Sequence, residues 1–209
     1  MMRFMRLSIA IVALVASAVA SPAGDSIRNC TWCHGTSAQG FGSAPRLAGQ
    51  RPPYIENQLL SFFVHARDNP LSAQYMWAAA EGLNGETAHE LAMYFSMLPP
   101  EPAMDGNKQL IDIGRLIYEE GSPESDLVAC AACHGPNGEG VRQIPRLAGL
   151  SYSYLKRRLE EWGEGYHTGA EPPMPGIASK LYPQEIEALA SFLSFVPEEN
   201  IVRECGGAA

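Results

Sequence analysis

Two short runs of cysteine and histidine share one spacing and lie 100 positions apart in this chain of 209 residues. Residues 30–34 read CTWCH, and residues 130–134 read CAACH. Two thiols at this separation lie on one helical turn and can add across the two vinyl groups of a haem, while the histidine binds the iron from the same face. The spacing therefore predicts two covalently bound haem c groups, held by six residues: Cys30, Cys33, His34, Cys130, Cys133 and His134.

Two other uses of paired cysteines fit this sequence less well. A four-cysteine zinc site needs its CxxC pairs about 15–20 residues apart, or brought together within one domain, whereas these pairs lie in separate copies of a repeat. A thioredoxin-like redox pair needs a βαβ setting and does not need the histidine. Haem attachment is therefore the favoured interpretation.

Methionine is the expected second ligand of each iron, because its soft thioether favours the reduced ion in an electron carrier. Met174 is the only methionine in residues 105–209. The first half offers four, and the repeat pairs Met76 with Met174, so these two are predicted as iron ligands. Three histidines compete for this role but have no histidine counterpart in the other half, and they are expected at the surface: His65, His89 and His167.

The repeat extends beyond the motifs and organises the whole chain. The pentapeptide PRLAG at residues 45–49 recurs at residues 145–149, and amphipathic patterns predict one helix after each copy and another at the end of each half. No run alternates with period two for long enough to predict a sheet. The proline-rich residues 99–103 form a stiff junction. We therefore predict an all-α protein with two tandem domains, residues 21–103 and 104–209.

The amino terminus and the charge restrict location and partners. Residues 1–20 resemble a cleavable secretory signal, with Arg3 and Arg6 ahead of an apolar stretch and an Ala-x-Ala site before Ser21. The apolar stretch is about 14 residues long, whereas a membrane span needs roughly 20. The remaining chain holds 13 basic and 23 acidic residues, so nucleic acid is not an expected partner. A periplasmic location is expected.

Side chains around the motifs carry further expectations. A carbonyl near Pro45 or Pro145 is expected to accept the second ring N–H of the motif histidine, the alternative being prolines that only stiffen the loop. Arg46 and Arg146 are candidates for pairing with haem propionates, the alternative being a solvated surface. Trp32 is expected to be packed against its domain. Near the carboxyl end, Cys205 is expected as a free thiol on a loose tail, the alternative being a disulfide between two chains.

Together these motifs resemble the dihaem cytochrome c4 family: CxxCHG, then PRLAG with a following tyrosine, then methionine seven residues before a leucine, all twice. The resemblance covers nearly the whole chain after the signal. It implies two class I cytochrome c domains, each wrapped round a haem with histidine and methionine on the iron. Only nine residues, Ser21 to Asn29, lie between the predicted signal and Cys30, where the family has a helix, so the first haem is expected to be the more exposed. The resemblance assigns Cys30, Cys33, His34 and Met76 to one haem and Cys130, Cys133, His134 and Met174 to the other.

The function that this resemblance implies is electron transfer without substrate chemistry. The expected donor is a respiratory protein such as a quinol-oxidising complex, and the expected acceptor is a terminal oxidase, with peripheral association at the membrane. An enzyme is not expected, because two six-coordinate irons leave no position for a reactant. Two alternatives stay open: a cytochrome subunit of a periplasmic dehydrogenase for sulfide, thiosulfate or an alcohol, and a dihaem peroxidase, which the paired methionines disfavour.

Overall fold

A computed structural model describes residues 22–167 and 173–197, and this part of the chain is helical, with two isolated β-bridges and no strand. The predicted all-α class is confirmed. The predicted signal segment and Cys205 lie outside the described residues. The first half contains α1 (Pro22–His34), α2 (Pro52–Phe63), a π-helical turn (Ser72–Met76), α3 (Trp77–Ala80) and α4 (Gly85–Met97). The second half contains a 3-10 turn (Lys108–Leu110), α5 (Ile111–Glu120), α6 (Ala131–His134), α7 (Tyr152–Gly163), α8 (Met174–Ala178) and α9 (Pro183–Phe195).

Each half has its own apolar core. In the first half, Ile55 of α2 packs with Leu91 and Phe95 of α4. In the second half, α5, α7 and α9 share a larger core that includes Leu189 and Leu193. These two leucines occupy the repeat positions of Leu91 and Phe95, so the packed pairs α2–α4 and α7–α9 are equivalent. The helices predicted after each PRLAG copy and at the end of each half are therefore present. Among the described residues, no helix is both long and apolar enough to cross a bilayer.

The helices that carry the two motifs differ between the halves. The short segment before Cys30 was expected to lack a helix, and this is wrong, because α1 begins at Pro22 and continues through the motif. In the second half α5 ends at Glu120, the next residue, Gly121, has a φ of +83°, and a loop leads to the separate helix α6. Helix α5 crosses α9 at Gly114, where an added Cβ would collide with the carbonyl oxygen of Ala188.

Arg46 joins the first half to the second. Its guanidinium is buried, and it donates to the carbonyl oxygens of Ala148 and Gly149 in the other PRLAG copy. It also donates to the carbonyl of Glu101 in the proline-rich junction, at 2.7 Å. These bonds to backbone carbonyls give Arg46 an interdomain role, and its pairing with a haem propionate stays a prediction.

A second interdomain contact joins Gln50 to the backbone of Arg146. The side-chain amide of Gln50 donates to the Arg146 carbonyl at 2.9 Å, and its oxygen accepts from the Arg146 N–H at 2.7 Å. The contact has no mirror image, because Leu150 occupies the position equivalent to Gln50. The interface is thus built from similar segments that make different bonds.

We expect Gly114→Ala to destabilise the second half, because its methyl group meets the backbone of α9, which cannot move aside as a side chain could. The expected loss is about 1–3 kcal/mol of unfolding free energy, measured by guanidinium denaturation of the haem-loaded protein. Gly163→Ala is the matched control, since a Cβ there has no atom within 4 Å. Equal stability of the two variants would contradict this helix crossing.

We expect Gln50→Leu, which copies Leu150, to expose the Arg146 amide by removing its acceptor. A lost hydrogen bond of this kind corresponds to about tenfold faster hydrogen exchange at that amide, measured by NMR. The Gly49 amide donates to Phe95 within the first half at 3.0 Å and serves as an internal reference. An unchanged exchange rate at Arg146 would show that the contact does not hold in solution.

Candidate functional site

The first CxxCH motif occupies the end of α1. Cys30 is half-buried and Cys33 is exposed, and neither thiol forms a disulfide. Residues three apart on a helix are neighbours on its surface, so the two thiols lie along one side of α1. His34 follows as the last residue of the helix, and its ring is buried. The motif therefore presents a pair of thiols next to a shielded imidazole.

The second motif reaches the same arrangement from a shorter helix. The carbonyl of Cys130 accepts hydrogen bonds from the N–H groups of Cys133 and His134, at 3.1 and 2.9 Å, which closes the helical turn. Cys130 is half-buried, Cys133 is exposed and His134 is buried. The two motifs thus match in burial residue by residue, although the preceding chain differs.

A proline carbonyl holds each motif histidine. Nδ1 of His34 lies 2.6 Å from the carbonyl oxygen of Pro45, and Nδ1 of His134 lies 3.0 Å from that of Pro145. A carbonyl only accepts, so Nδ1 carries the hydrogen and Nε2 keeps its lone pair for a metal ion. The hydrogen bond expected from the 11-residue spacing is therefore present in both halves.

The loop between histidine and proline closes through a glycine in each half. The N–H of Gly40 donates to the carbonyl of His34 at 2.8 Å, and Gly140 does the same to His134. Both glycines have positive φ, and a Cβ on Gly40 would lie 2.8 Å from the carbonyl oxygen of Ala44. Only glycine fits this close approach. The same small turn thus brings the proline carbonyl to the imidazole twice.

Burial controls the charge of the motif side chains. It lowers the pKa of His34 and of His134, while the proline carbonyls oppose this effect in part. The positive charge of Arg67 lowers the pKa of His34 further. Burial also raises the pKa of Cys30 and Cys130 to about 11. Both imidazoles are therefore neutral at neutral pH, which is the form that binds a metal.

Tyr118 gives the second motif a contact that sequence reasoning missed. Its buried hydroxyl donates to the carbonyl of Gly135, directly after His134, at 2.5 Å. Burial raises the pKa of Tyr118, so the hydroxyl keeps its hydrogen. Tyr118 lies on α5, and no local pattern in the sequence indicates its partner in the loop after the second motif.

The predicted methionine ligands lie in different local structures. Met76 ends the π-helical turn, and Met174 is the first residue of α8. Both side chains are half-buried. Single π-helical turns are frequent at functional sites, so the irregular backbone before Met76 is consistent with a ligand position. The assignment of both methionines to iron stays a prediction.

The three histidines that compete with the methionines as iron ligands differ in their exposure. His65 is exposed and stacks on Trp77, and His89 is exposed beside Glu56, as expected for surface histidines. His167 is buried, so its predicted surface position is wrong. Trp32 is 84% exposed, so its predicted packing is also wrong.

His167 belongs to a group of buried and half-buried polar side chains between the halves, which we call the interface cluster. Positions 67 and 167 are equivalent in the repeat, and so are positions 58 and 158, which hold Gln58 and Arg158. The repeat alignment could have indicated this cluster. At each pair of equivalent positions, one half has an arginine and the other has a neutral side chain that can accept a hydrogen bond. The interface cluster consists of Arg67, Tyr154, Arg158, Glu161, Trp162 and His167.

Known proteins resemble this chain along most of its length. The family model for cytochrome c matches residues 112–196. Cytochrome c4 of Thiocapsa roseopersicina is 33% identical over 179 residues, which cover 82% of this chain and 90% of that protein. A thiosulfate dehydrogenase electron acceptor of Thiomonas intermedia is 31% identical, over 81% of this chain and 79% of that protein. A solved cytochrome c4 structure from Acidithiobacillus ferrooxidans superposes with a TM-score of 0.75 at 31% identity, covering 80% of this chain and 98% of that one.

We expect Tyr118→Phe to destabilise the second half by about 1–3 kcal/mol, because the buried Gly135 carbonyl loses its donor. The measurement is the free energy of unfolding of the haem-loaded protein in denaturant. Tyr75→Phe removes a hydroxyl from a tyrosine that is largely exposed and is expected to change little. A Tyr118 variant as stable as the Tyr75 variant would refute the role of this hydrogen bond.

Proposed function

Because this chain belongs to the cytochrome c4 family of dihaem electron-transfer proteins, we propose that it is a mobile periplasmic carrier and not an enzyme. It carries two covalently attached haem c groups, which supply a one-electron iron couple when bound. In this proposal it takes electrons from a respiratory donor such as a quinol-oxidising complex and delivers them to a terminal oxidase. Residues 1–20 direct its export, so the secreted chain begins at Ser21.

The motif residues fit these groups chemically. The four motif thiols are free, and each imidazole has Nδ1 bound to a carbonyl, which leaves Nε2 for iron. Burial keeps both imidazoles neutral. We assign the residues to two domains, 21–103 and 104–209. The proposed ligand sets are Cys30, Cys33, His34 and Met76 for the first haem, and Cys130, Cys133, His134 and Met174 for the second.

The observation that carries the proposal is the identical fixation of both histidines. Nδ1 of His34 and of His134 each meets the carbonyl of a proline 11 residues later. An enzyme needs one iron with an open position, and its two sites would then differ in their ligands. Both histidines are held in the same way, and each iron has one methionine as its proposed second ligand. This favours two six-coordinate sites that only exchange electrons.

Charge favours a basic partner. The sequence after residue 103 holds 9 basic and 16 acidic residues, whereas residues 21–103 hold 4 and 7. Acidic surfaces speed the encounter with a positively charged protein, and added salt weakens this attraction. The stretch 29–45 around the first motif has no charged residue, and it exposes Trp32 and Phe41. We therefore propose that the second half supplies most of the long-range attraction to a partner.

A second candidate is a cytochrome that works with a dehydrogenase. The relative from Thiomonas intermedia is named as an electron acceptor of thiosulfate dehydrogenase. Purification of the native protein distinguishes the two candidate functions. A mobile carrier is recovered alone, whereas a fixed subunit is recovered with a dehydrogenase. Reduction by thiosulfate in the presence of that dehydrogenase would favour the second candidate.

We expect Met76→Ala and Met174→Ala each to remove one of two contributions to the long-wavelength absorption band of methionine-bound ferric haem. Each variant should also lower the reduction potential of its own haem, because thioether ligation favours the reduced ion. Met97→Ala is the control, since Met97 is exposed at the end of α4.

Spectra of the oxidised protein and a redox titration provide both readouts. If the long-wavelength band keeps its full intensity in Met76→Ala or Met174→Ala, the substituted methionine is not a ligand of the haem iron. A native protein with one iron that binds cyanide or peroxide at once would favour the peroxidase alternative over the carrier.

A further inference from the structure

Helix α4 carries two exposed methionines on the side that does not face the core. Met93 is 42% exposed and Met97 is 72% exposed. The opposite side of the helix supplies the core of the first half through Leu91 and Phe95. Methionine is usually buried in proteins, because its side chain is largely apolar. The core of the first half therefore does not explain why methionine stands at these two positions.

His89 lies on the same side of α4, one turn before Met93, and it is also exposed. Residues four apart on a helix are neighbours, with about 5–6 Å between their Cβ atoms. Helical side chains lean toward the amino end of the helix, so Met97 leans toward Met93 and Met93 toward His89. The spacing thus places one imidazole and two thioethers in a single exposed row, which we call the α4 row.

Glu56 of α2 orients the imidazole of the α4 row. Its carboxylate oxygen lies 3.1 Å from Nδ1 of His89. A carboxylate accepts, so Nδ1 carries the hydrogen and Nε2 keeps its lone pair. In metal sites the ligating histidine usually donates its other ring N–H to a carboxylate or a carbonyl in this way. The contact between α2 and α4 therefore prepares His89 as a metal ligand.

The charge around the α4 row favours a cation. Glu86 and Glu90 are exposed on α4, and helical periodicity places both on the same side as the row. Neither α2 nor α4 contains a lysine or an arginine. The one arginine of α1, which also packs on α4, is Arg28, and it pairs with Asp25 at 3.9 Å. A surface of one sign raises the local concentration of the opposite ion.

The equivalent side of α9 has a different use in the second half. The segment after the proline-rich junction covers it: the N–H of Asn107 donates to a buried serine hydroxyl at 3.2 Å, and Lys108 lies over a phenylalanine ring. The positions equivalent to 89, 93 and 97 hold Glu187, Ser191 and Phe195. The first half therefore has soft donor atoms where the second half has packing residues.

The donor set of the α4 row indicates the class of ion. Thioether sulfur is a soft ligand that selects Cu(I), and imidazole also suits copper. Calcium and magnesium require oxygen ligands, and zinc binds thiolate, imidazole and carboxylate groups. Two thioethers beside one imidazole therefore fit a soft monovalent ion better than these divalent ions.

We propose that the α4 row is a binding site for a cuprous ion on the surface of the first half. Nε2 of His89 and the sulfur of Met93 are its main ligands, and the sulfur of Met97 joins them from the next turn. Glu56 is a positioning residue, because it acts through His89. The site uses none of the proposed iron ligands, so it goes beyond electron transfer between haems.

The test is a titration of the reduced, haem-loaded protein with Cu(I), which is supplied by a chromophoric chelator whose absorbance reports the transfer. Haem attachment occupies the motif thiols, and Cys205→Ser is present throughout, so no free thiol competes. The reduced state prevents ferric haem from oxidising the ion. We expect one bound ion per chain, with the affinity lowered about tenfold or more in His89→Gln and in Met93→Leu. Met104→Leu is the matched control, because this methionine is 59% exposed outside the row.

The NMR signals of the methionine methyl groups identify the ligands directly. Addition of Cu(I) is expected to shift the methyl signals of Met93 and Met97 and to leave that of Met104 in place. Glu56→Gln keeps an acceptor for Nδ1 but removes the charge. We expect it to weaken binding by a smaller factor than His89→Gln does, while both methyl signals still shift.

Three results would overturn the proposal. The first is an affinity that stays unchanged in both Met93→Leu and His89→Gln, and the second is an equal loss in Met104→Leu. The third is tighter binding of Zn(II) than of Cu(I), since zinc would use His89 with carboxylates. Failure of the proposed function is visible separately: methyl signals of Met76 or Met174 that shift with Cu(I) would contradict their assignment to iron, and Met93 and Met97 still decide the copper site.

Discussion

The hydrogen bond from the motif histidine to a proline carbonyl is the constraint on which each half depends. It requires the chain to turn back within 11 residues, and Gly40 and Gly140 make that turn. The PRLAG segment must then lie beside the imidazole, which fixes where α2 and α7 begin. These helices pack on α4 and α9, and the two cores follow from that contact.

The same segment also builds the domain interface. The carbonyl of Pro45 holds His34, and the next residue, Arg46, donates to the other half. In the second half Pro145 holds His134, and the backbone of Arg146 pairs with Gln50. In each copy, therefore, the proline whose carbonyl holds the histidine is followed directly by a residue that bonds to the other half. Any movement of one half against the other acts on a segment that orients a proposed iron ligand.

Local patterns were enough to predict the motifs, the all-α class and the helices α2, α4, α7 and α9, because each depends on spacing within a short stretch. The burial of His167 and the exposure of Trp32 depend on which distant parts of the chain pack against them. Local sequence periodicity does not contain that information. The interface cluster depends on pairs such as Arg67 and Tyr154, which are far apart in the chain. Comparing equivalent positions of the repeat would have indicated it.

The unequal contacts of the two halves show how far the internal duplication has diverged. Two copies of the second half would place Leu150 where the interface uses Gln50, and two copies of the first half would lack the carboxylate of Glu161. Each half has therefore become the specific complement of the other. The duplicated domains are committed to one another as a heterologous pair, and neither can associate with a second copy of itself through the same bonds.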